Sequence, residues 1–179
     1  MNLPNKITLI RIFLLPLIVV FLITSSWLSS FLAVLIFAVA IFTDWLDGHL
    51  ARRTDQVTTL GKLLDPIADK LLVISALIPL VALGRVPAWM AVILVGREIA
   101  ITGLRSIKAS KGIIIPASQL GKSKMTLQVT AIILLILNYK ILFINFHFVG
   151  MLVLWIAMIV SIISGADYFV KFITSEDLN

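Results

Sequence analysis

From Ile12 to Thr43 the chain runs for 32 residues without one charged side chain, and that stretch restricts the fold more than any other feature. A membrane span needs about 20 residues at a rise of about 1.5 Å each. The run is therefore long enough for two short spans, and Ser25–Ser26–Trp27–Leu28–Ser29–Ser30 interrupts it midway. Two helices joined by a tight turn is the direct reading. A secretory signal would also place Lys6 and Arg11 ahead of an apolar segment, but no small-residue cleavage pattern follows and a second apolar segment begins at once. Hydrophobic residues are 60% of the 179 and charged residues 13%, about half the ~25% usual for a soluble domain. With a mean hydropathy of +1.11, the solvent of this chain is lipid. That excludes a soluble enzyme, a disordered chain and a disulfide scaffold. The lack of cysteine also removes thiol chemistry and sulfur-ligated metal sites.

Further apolar stretches carry scattered charges. Leu63–Leu83 holds Asp65, Asp69 and Lys70, and Pro87–Lys108 holds Arg97, Glu98 and Arg105. Ser118–Tyr139 follows a break from Gly112 to Pro116, and His147–Val170 holds Asp167. The sequence thus predicts an all-α integral membrane protein forming one domain over residues 1–179. Its transmembrane helices fall at about 12–25, 29–53, 62–83, 87–109, 118–139 and 147–170. Residues 1–11, where Lys6 and Arg11 alternate with Ile7, Leu9 and Ile10, are expected to form an interfacial amphipathic segment. Lys6, Arg11, Arg52, Arg53, Lys62, Lys108, Lys111, Lys122, Lys124 and Lys171 fall on one side of such a topology, against Arg85 and Lys140 on the other. Basic loops stay in the cytoplasm, so a multi-pass protein of the cell membrane with both termini inside is expected. The net charge of +6 lies in short inter-helix segments, which suits membrane lipids and phosphate substrates rather than nucleic acid.

Ionisable groups near membrane depth are costly, and default to functional roles. Asp44, Asp47, Asp65 and Asp69 fall within 26 positions. The first two are spaced i,i+3 at the end of the second span and the last two i,i+4 at the start of the third, so each pair shares a helical face. One aspartate at a helix end is an ordinary structural residue. Four close together cannot all stay ionised without protons or cations to offset them. Oxygen donors without cysteine select magnesium, manganese or calcium over zinc. Gly48 and Ala51 leave room beside the backbone, and Arg52 and Lys62 can meet phosphate oxygens.

Asp44, Asp47, Gly48, Ala51, Arg52, Gly61, Asp65 and Asp69 fill every fixed position of D-x2-D-G-x2-A-R-x8-G-x3-D-x3-D, and here the chain resembles the CDP-alcohol phosphatidyltransferases. Asn2–Leu3–Pro4–Asn5–Lys6–Ile7–Thr8 with Arg11, Arg97–Glu98 with Leu104–Arg105, and Ile115–Pro116–Ala117–Ser118 with Gly121–Lys122–Ser123–Lys124 look like the bacterial branch that makes phosphatidylglycerophosphate. The resemblance covers nearly the whole chain and implies the CDP-alcohol phosphotransferase fold. It also implies transfer of a phosphatidyl group from CDP-diacylglycerol to an alcohol, with release of CMP, at the cytoplasmic face. By that pattern Asp44, Asp47, Asp65 and Asp69 hold one or two Mg2+ or Mn2+ ions, and Asp69 is the general base. Asp44, Gly48, Ala51, Arg52 and Gly61 line the nucleotide pocket, with Thr8 and Arg11 approaching it. A homodimer is implied as well.

A second ionisable cluster bears on the acceptor. Arg97 and Arg105 lie two turns apart on one span, and Lys122 and Lys124 open the next. Together they make a basic pocket suited to a phosphorylated acceptor. Glycerol 3-phosphate satisfies this and is the acceptor the resemblance implies, while inositol phosphate meets the same charge requirement. Transfer to another alcohol is the alternative within the family. A divalent-cation transporter is the alternative outside it, although such sites lie near the bilayer midplane. His147 reads as interfacial, Asp167 as a partner for Lys171 at i,i+4, and Gly150 and Gly165 as sites of close helix contact.

Overall fold

Each apolar stretch forms a helix. In the structure, a computed structural model, the backbone is described for residues 3–24, 26–54, 59–110, 119–141 and 143–174. Side chains are described for 8–24, 26–43, 67–110, 121, 123–140, 143 and 145–174. Among the described residues six helices follow in order: α1 (Leu3–Ile23), α2 (Trp27–Thr54), α3 (Thr59–Ala82), α4 (Ala88–Ser110), α5 (Gln119–Leu137) and α6 (Phe146–Thr174). Two antiparallel strands of two residues, β1 (Lys140–Ile141) and β2 (Ile144–Asn145), join α5 to α6.

One boundary differs from the sequence reading. Residues 3–11 are not set apart from the first span, because α1 is continuous from Leu3 to Ile23. Pro4 lies in the first turn, where its missing N–H breaks no helical bond, and nothing between Asn5 and Ile12 interrupts the ladder. Thr8 and Arg11, one turn apart, are both 1% exposed, so these two polar side chains turn inward.

The serines that split the long apolar run do so by capping. Ser26 Oγ accepts from the Ser29 N–H at 3.1 Å, and Ser29 Oγ accepts from the Ser26 N–H at 2.9 Å. This reciprocal pair satisfies orphan donors at the start of α2. At the start of α6, Asn145 Oδ1 accepts from the N–H groups of His147 and Phe148 at 3.1 and 3.4 Å.

The outward surfaces are hydrocarbon. Phe13, Leu17 and Val20 on α1, Phe31, Leu35 and Val39 on α2, and Ile156, Ile159 and Ile163 on α6 are all exposed, while Ile18, Phe37 and Leu154 are buried. Helices apolar on both faces suit lipid outside and packing inside. By length and composition α6 is apolar and long enough to cross a membrane. Thr8–Ile23, Trp27–Thr43 and Ser123–Leu137 are shorter apolar stretches among the described residues.

Small residues let the helices approach closely. Ala33, Ala40, Ala76 and Ala131 are fully buried in the core. α5 packs most extensively on α6, α1 lies against α2 and α3, and α4 bridges α3 and α6. A Cβ at Gly150 would come within 2.9 Å of Leu135 Cγ, and one at Gly165 within 3.2 Å of Arg97 Nε. Both glycines thus serve close contacts inside the chain. At the end opposite Arg11, Arg85 donates to the Leu135 and Ile136 carbonyls at 3.2 and 2.9 Å, a cation at the C-terminus of α5. Burial lowers the Arg85 pKa from its ordinary value. Trp89 and Trp155 meet edge to face at 5.4 Å.

Candidate active site

The acidic signature lies on two helices that touch. Asp44, Asp47, Gly48, Ala51 and Arg52 fall on α2 near its end, and Gly61, Asp65 and Asp69 on the opening turns of α3. The helical backbone places Asp44 and Asp47 about one turn apart, and Asp65 and Asp69 likewise. The side chains of Asp44, Asp47, Gly48, Ala51, Arg52, Gly61, Asp65 and Lys122 lie outside the described residues. Asp69 is the member of the acidic quartet whose side chain is described. Among the described residues there is no group of three or more His, Cys, Asp or Glu arranged to hold a metal ion.

Asp69 meets the N-terminal helix. Arg11 Nη1 donates to Asp69 Oδ1 at 3.4 Å, with the Arg11 side chain 1% and the Asp69 side chain 33% exposed. A buried cation on α1 thus sits beside the last aspartate of the signature.

Asp69 also lines a partly open cavity of about 280 Å³ between α3, α4, α5 and α6. Lys70 comes from α3; Arg97, Glu98, Thr102 and Arg105 from α4; Gly121, Lys124 and Gln128 from α5; Ser164 and Tyr168 from α6. Four cationic side chains stand against the two carboxylates of Asp69 and Glu98, which favours an anionic guest. The structure therefore brings Arg97, Arg105 and Lys124 to one cavity with Asp69.

These cations differ in what holds them. Glu98 Oε1 accepts from Arg97 Nη1 at 2.9 Å and also pairs with Lys124. Arg97 further donates through Nε to the Ser161 carbonyl at 3.0 Å and through Nη2 to Ser164 Oγ. Its guanidinium clamps α4 to α6 across the close approach that Gly165 permits. Arg105 is exposed and lies 5.3 Å over the Tyr168 ring. It is the cation freest to turn toward a ligand among these, since an arginine on an aromatic face keeps its in-plane donors available. Lys108, one turn on, is buried against the Phe172 ring at 4.5 Å and lies outside the cavity lining. Asp167 pairs with Lys171 at 2.8 Å and is also outside it.

Lys70, Thr102, Gln128, Ser164 and Tyr168 are cavity residues that the sequence reading did not assign to a site. A signal for them existed. Gln128 lies one turn after Lys124, Thr102 one turn after Glu98, and Tyr168 one turn after Ser164. Polar side chains at helical spacing inside apolar spans extend a face already marked by charge.

Comparison with known proteins shows the family. The family profile of the CDP-alcohol phosphatidyltransferases matches residues 1–163. The chain is 40% identical to a CDP-diacylglycerol–glycerol-3-phosphate 3-phosphatidyltransferase of Bacillus subtilis (strain 168), over 95% of this chain and 94% of that protein. It is 39% identical to the protein of the same name from Rickettsia bellii (strain RML369-C), over 94% of this chain and 93% of that one. A probable phosphatidylglycerophosphate synthase of Mycobacterium tuberculosis (strain H37Rv) is 38% identical over 95% of this chain and 81% of its own length. With a complete acidic signature on α2 and α3 and a match running from α1 into α6, the chain belongs to the CDP-alcohol phosphatidyltransferase family.

Proposed function

We propose that this protein transfers the phosphatidyl group of CDP-diacylglycerol to glycerol 3-phosphate, forming phosphatidylglycerophosphate and releasing CMP. The names of its relatives support the reaction. The observation that carries the acceptor is the cavity in which Asp69 faces Lys70, Arg105 and Lys124. At about 280 Å³ it falls just below the ~300–1,000 Å³ of pockets for drug-sized ligands, and so suits a small polar acceptor.

In this reading Arg105 and Lys124 hold the acceptor phosphate with Lys122, and Arg97 braces the wall behind them. Asp69 takes the proton of the acceptor hydroxyl as its oxygen bonds to the β-phosphorus of CDP-diacylglycerol. The bond from that phosphorus to the bridging oxygen breaks, and CMP leaves. Arg11, touching Asp69 from α1, steadies the base beside the nucleotide pocket, where we place Thr8, Gly48, Ala51, Arg52 and Gly61.

The donor set fits a hard divalent cation, being carboxylates spaced one turn apart on helical backbone beside a cavity reached by Asp69. Asp44, Asp47, Asp65 and Asp69 would hold one or two Mg2+ or Mn2+ ions. Bound there, the metal would offset the negative charge that builds on the pyrophosphate.

Helices of 19 to 29 residues extend about 28 to 44 Å, against a hydrocarbon core of about 30 Å. We therefore read all six as spans of the cell membrane, with the site and both termini on the cytoplasmic side, where the basic residues gather. The homodimer is carried over from the family resemblance.

The test is an assay of purified protein in mixed micelles with radiolabelled CDP-diacylglycerol and separate acceptors: glycerol 3-phosphate, inositol phosphate, serine and glycerol. Phosphatidylglycerophosphate forming with equimolar CMP, stopped by EDTA and restored by magnesium or manganese, is the expected result. Product with another acceptor alone overturns the acceptor assignment, and undiminished turnover in chelator overturns the metal assignment.

A further inference from the structure

Two polar groups in the cavity wall have no hydrogen bond among the described residues. Gln128 Nε2 and the Tyr168 hydroxyl are buried without a partner, both residues line the cavity, and they are 3% and 6% exposed. Buried polar groups in native proteins are nearly always paired, so each unpaired one calls for a ligand or another physical cause. Their neighbours in the wall include Val73, Ile101 and Met125, which offer no hydrogen-bonding group in their side chains. Both residues also adjoin the cations. Lys124 lies one turn before Gln128 on α5, and Arg105 sits 5.3 Å over the Tyr168 ring.

Glycerol 3-phosphate presents a phosphate, a terminal hydroxyl and a middle hydroxyl. The cations suit the phosphate and Asp69 the terminal, attacking hydroxyl, which leaves the middle one. A hydroxyl both donates and accepts, and so do a carboxamide and a phenol. Neither Gln128 nor Tyr168 carries a charge with which to compete for the phosphate.

We infer that Gln128 and Tyr168 are specificity-determining residues that read the middle hydroxyl of the acceptor. This rests on the acceptor reading given under Proposed function. A site built to bond a hydroxyl discriminates strongly against the analogue lacking it, because its own polar groups are then left unmet.

The test compares full-length wild type, Gln128→Met and Tyr168→Phe with two acceptors, glycerol 3-phosphate and 3-hydroxypropyl phosphate, which lacks the middle hydroxyl. Gln128→Met keeps the side-chain shape, and Tyr168→Phe removes a single oxygen. Wild type is expected to prefer glycerol 3-phosphate by about 100-fold or more in kcat/KM. Each variant should lose about 10-fold of that preference, with the deoxy acceptor and the KM for CDP-diacylglycerol changed by less than about twofold. Equal use of both acceptors by wild type overturns the inference, as does an equal loss on both in the variants, which is what a packing role gives. Failure of the underlying reading is distinct: wild type would then use neither phosphorylated acceptor while transferring to another alcohol.

Discussion

The acidic part of the site comes from 26 consecutive positions, Asp44 to Asp69, on the adjoining helices α2 and α3. The basic part takes Lys70, Arg105, Lys124 and Tyr168 from four different helices. This difference has a physical root. In the proposed metal reading the aspartates must converge within a few ångströms, and helical spacing of i,i+3 and i,i+4 on touching helices serves that locally. A cavity for a second substrate needs walls, and walls require several helices to pack. The acidic part is therefore fixed by local geometry and the basic part by tertiary packing, with Asp69 at the seam.

Substitutions in the two parts should separate turnover from acceptor binding. The largest effect is expected for Asp69→Asn. Loss of a general base lowers kcat by about 10²- to 10⁴-fold, measured as CMP release, while the thermal unfolding temperature and CDP binding stay close to wild type. Near-normal turnover would remove Asp69 as the base and leave the acidic part with ligand duties only. Next comes Arg105→Ala, which should raise the KM for glycerol 3-phosphate about 10- to 100-fold through loss of a charge-assisted hydrogen bond. The KM for CDP-diacylglycerol should move far less, and equal weakening of both substrates would break the division between the parts.

Packing should be separable from both. Gly150→Leu forces atoms against Leu134 and Leu135, where a Cβ would already lie 2.9 Å from Leu135 Cγ. Such overpacking costs about 1–3 kcal/mol and should appear as a lower unfolding temperature with kcat and both KM values of the folded fraction retained. A specific loss for one substrate would tie the α5–α6 contact to the site. The smallest effect is expected for Lys171→Ala. Its pair with Asp167 is largely exposed, and exposed pairs contribute little, so neither stability nor kinetics should change measurably. A marked loss of activity would extend the basic part to the end of α6.

Legibility in the sequence followed the same division. The helices expected over 29–53, 87–109 and 118–139 are seen as α2 (Trp27–Thr54), α4 (Ala88–Ser110) and α5 (Gln119–Leu137), because a long apolar run satisfies its own backbone hydrogen bonds most readily as helix. The Asp167–Lys171 pair was also legible, being one turn apart on one element. The continuity of α1 was not. Lys6 and Arg11 alternating with apolar residues looks interfacial, and only contact with α3 shows Arg11 turned inward onto Asp69. Arg97 was legible as a cation inside an apolar run, but its bonds to the Ser161 carbonyl and Ser164 lie 64 and 67 positions away on α6. No local period encodes such a distance.

By itself, then, the order of amino acids determined that this chain is strongly apolar, that its apolar stretches become helices, and that four aspartates recur at helical spacing beside small residues. These are properties of single segments and of the medium around them, and hydropathy and a period of 3.6 suffice to read them. Only the tertiary structure decided which polar faces meet: that α3, α4, α5 and α6 line one cavity with Asp69, Arg105 and Lys124, that Glu98 and Arg97 brace that wall, and that Gln128 Nε2 and the Tyr168 hydroxyl end up buried without a partner among the described residues. Helices packed through small residues can meet along many faces, and the choice among them depends on all their neighbours at once.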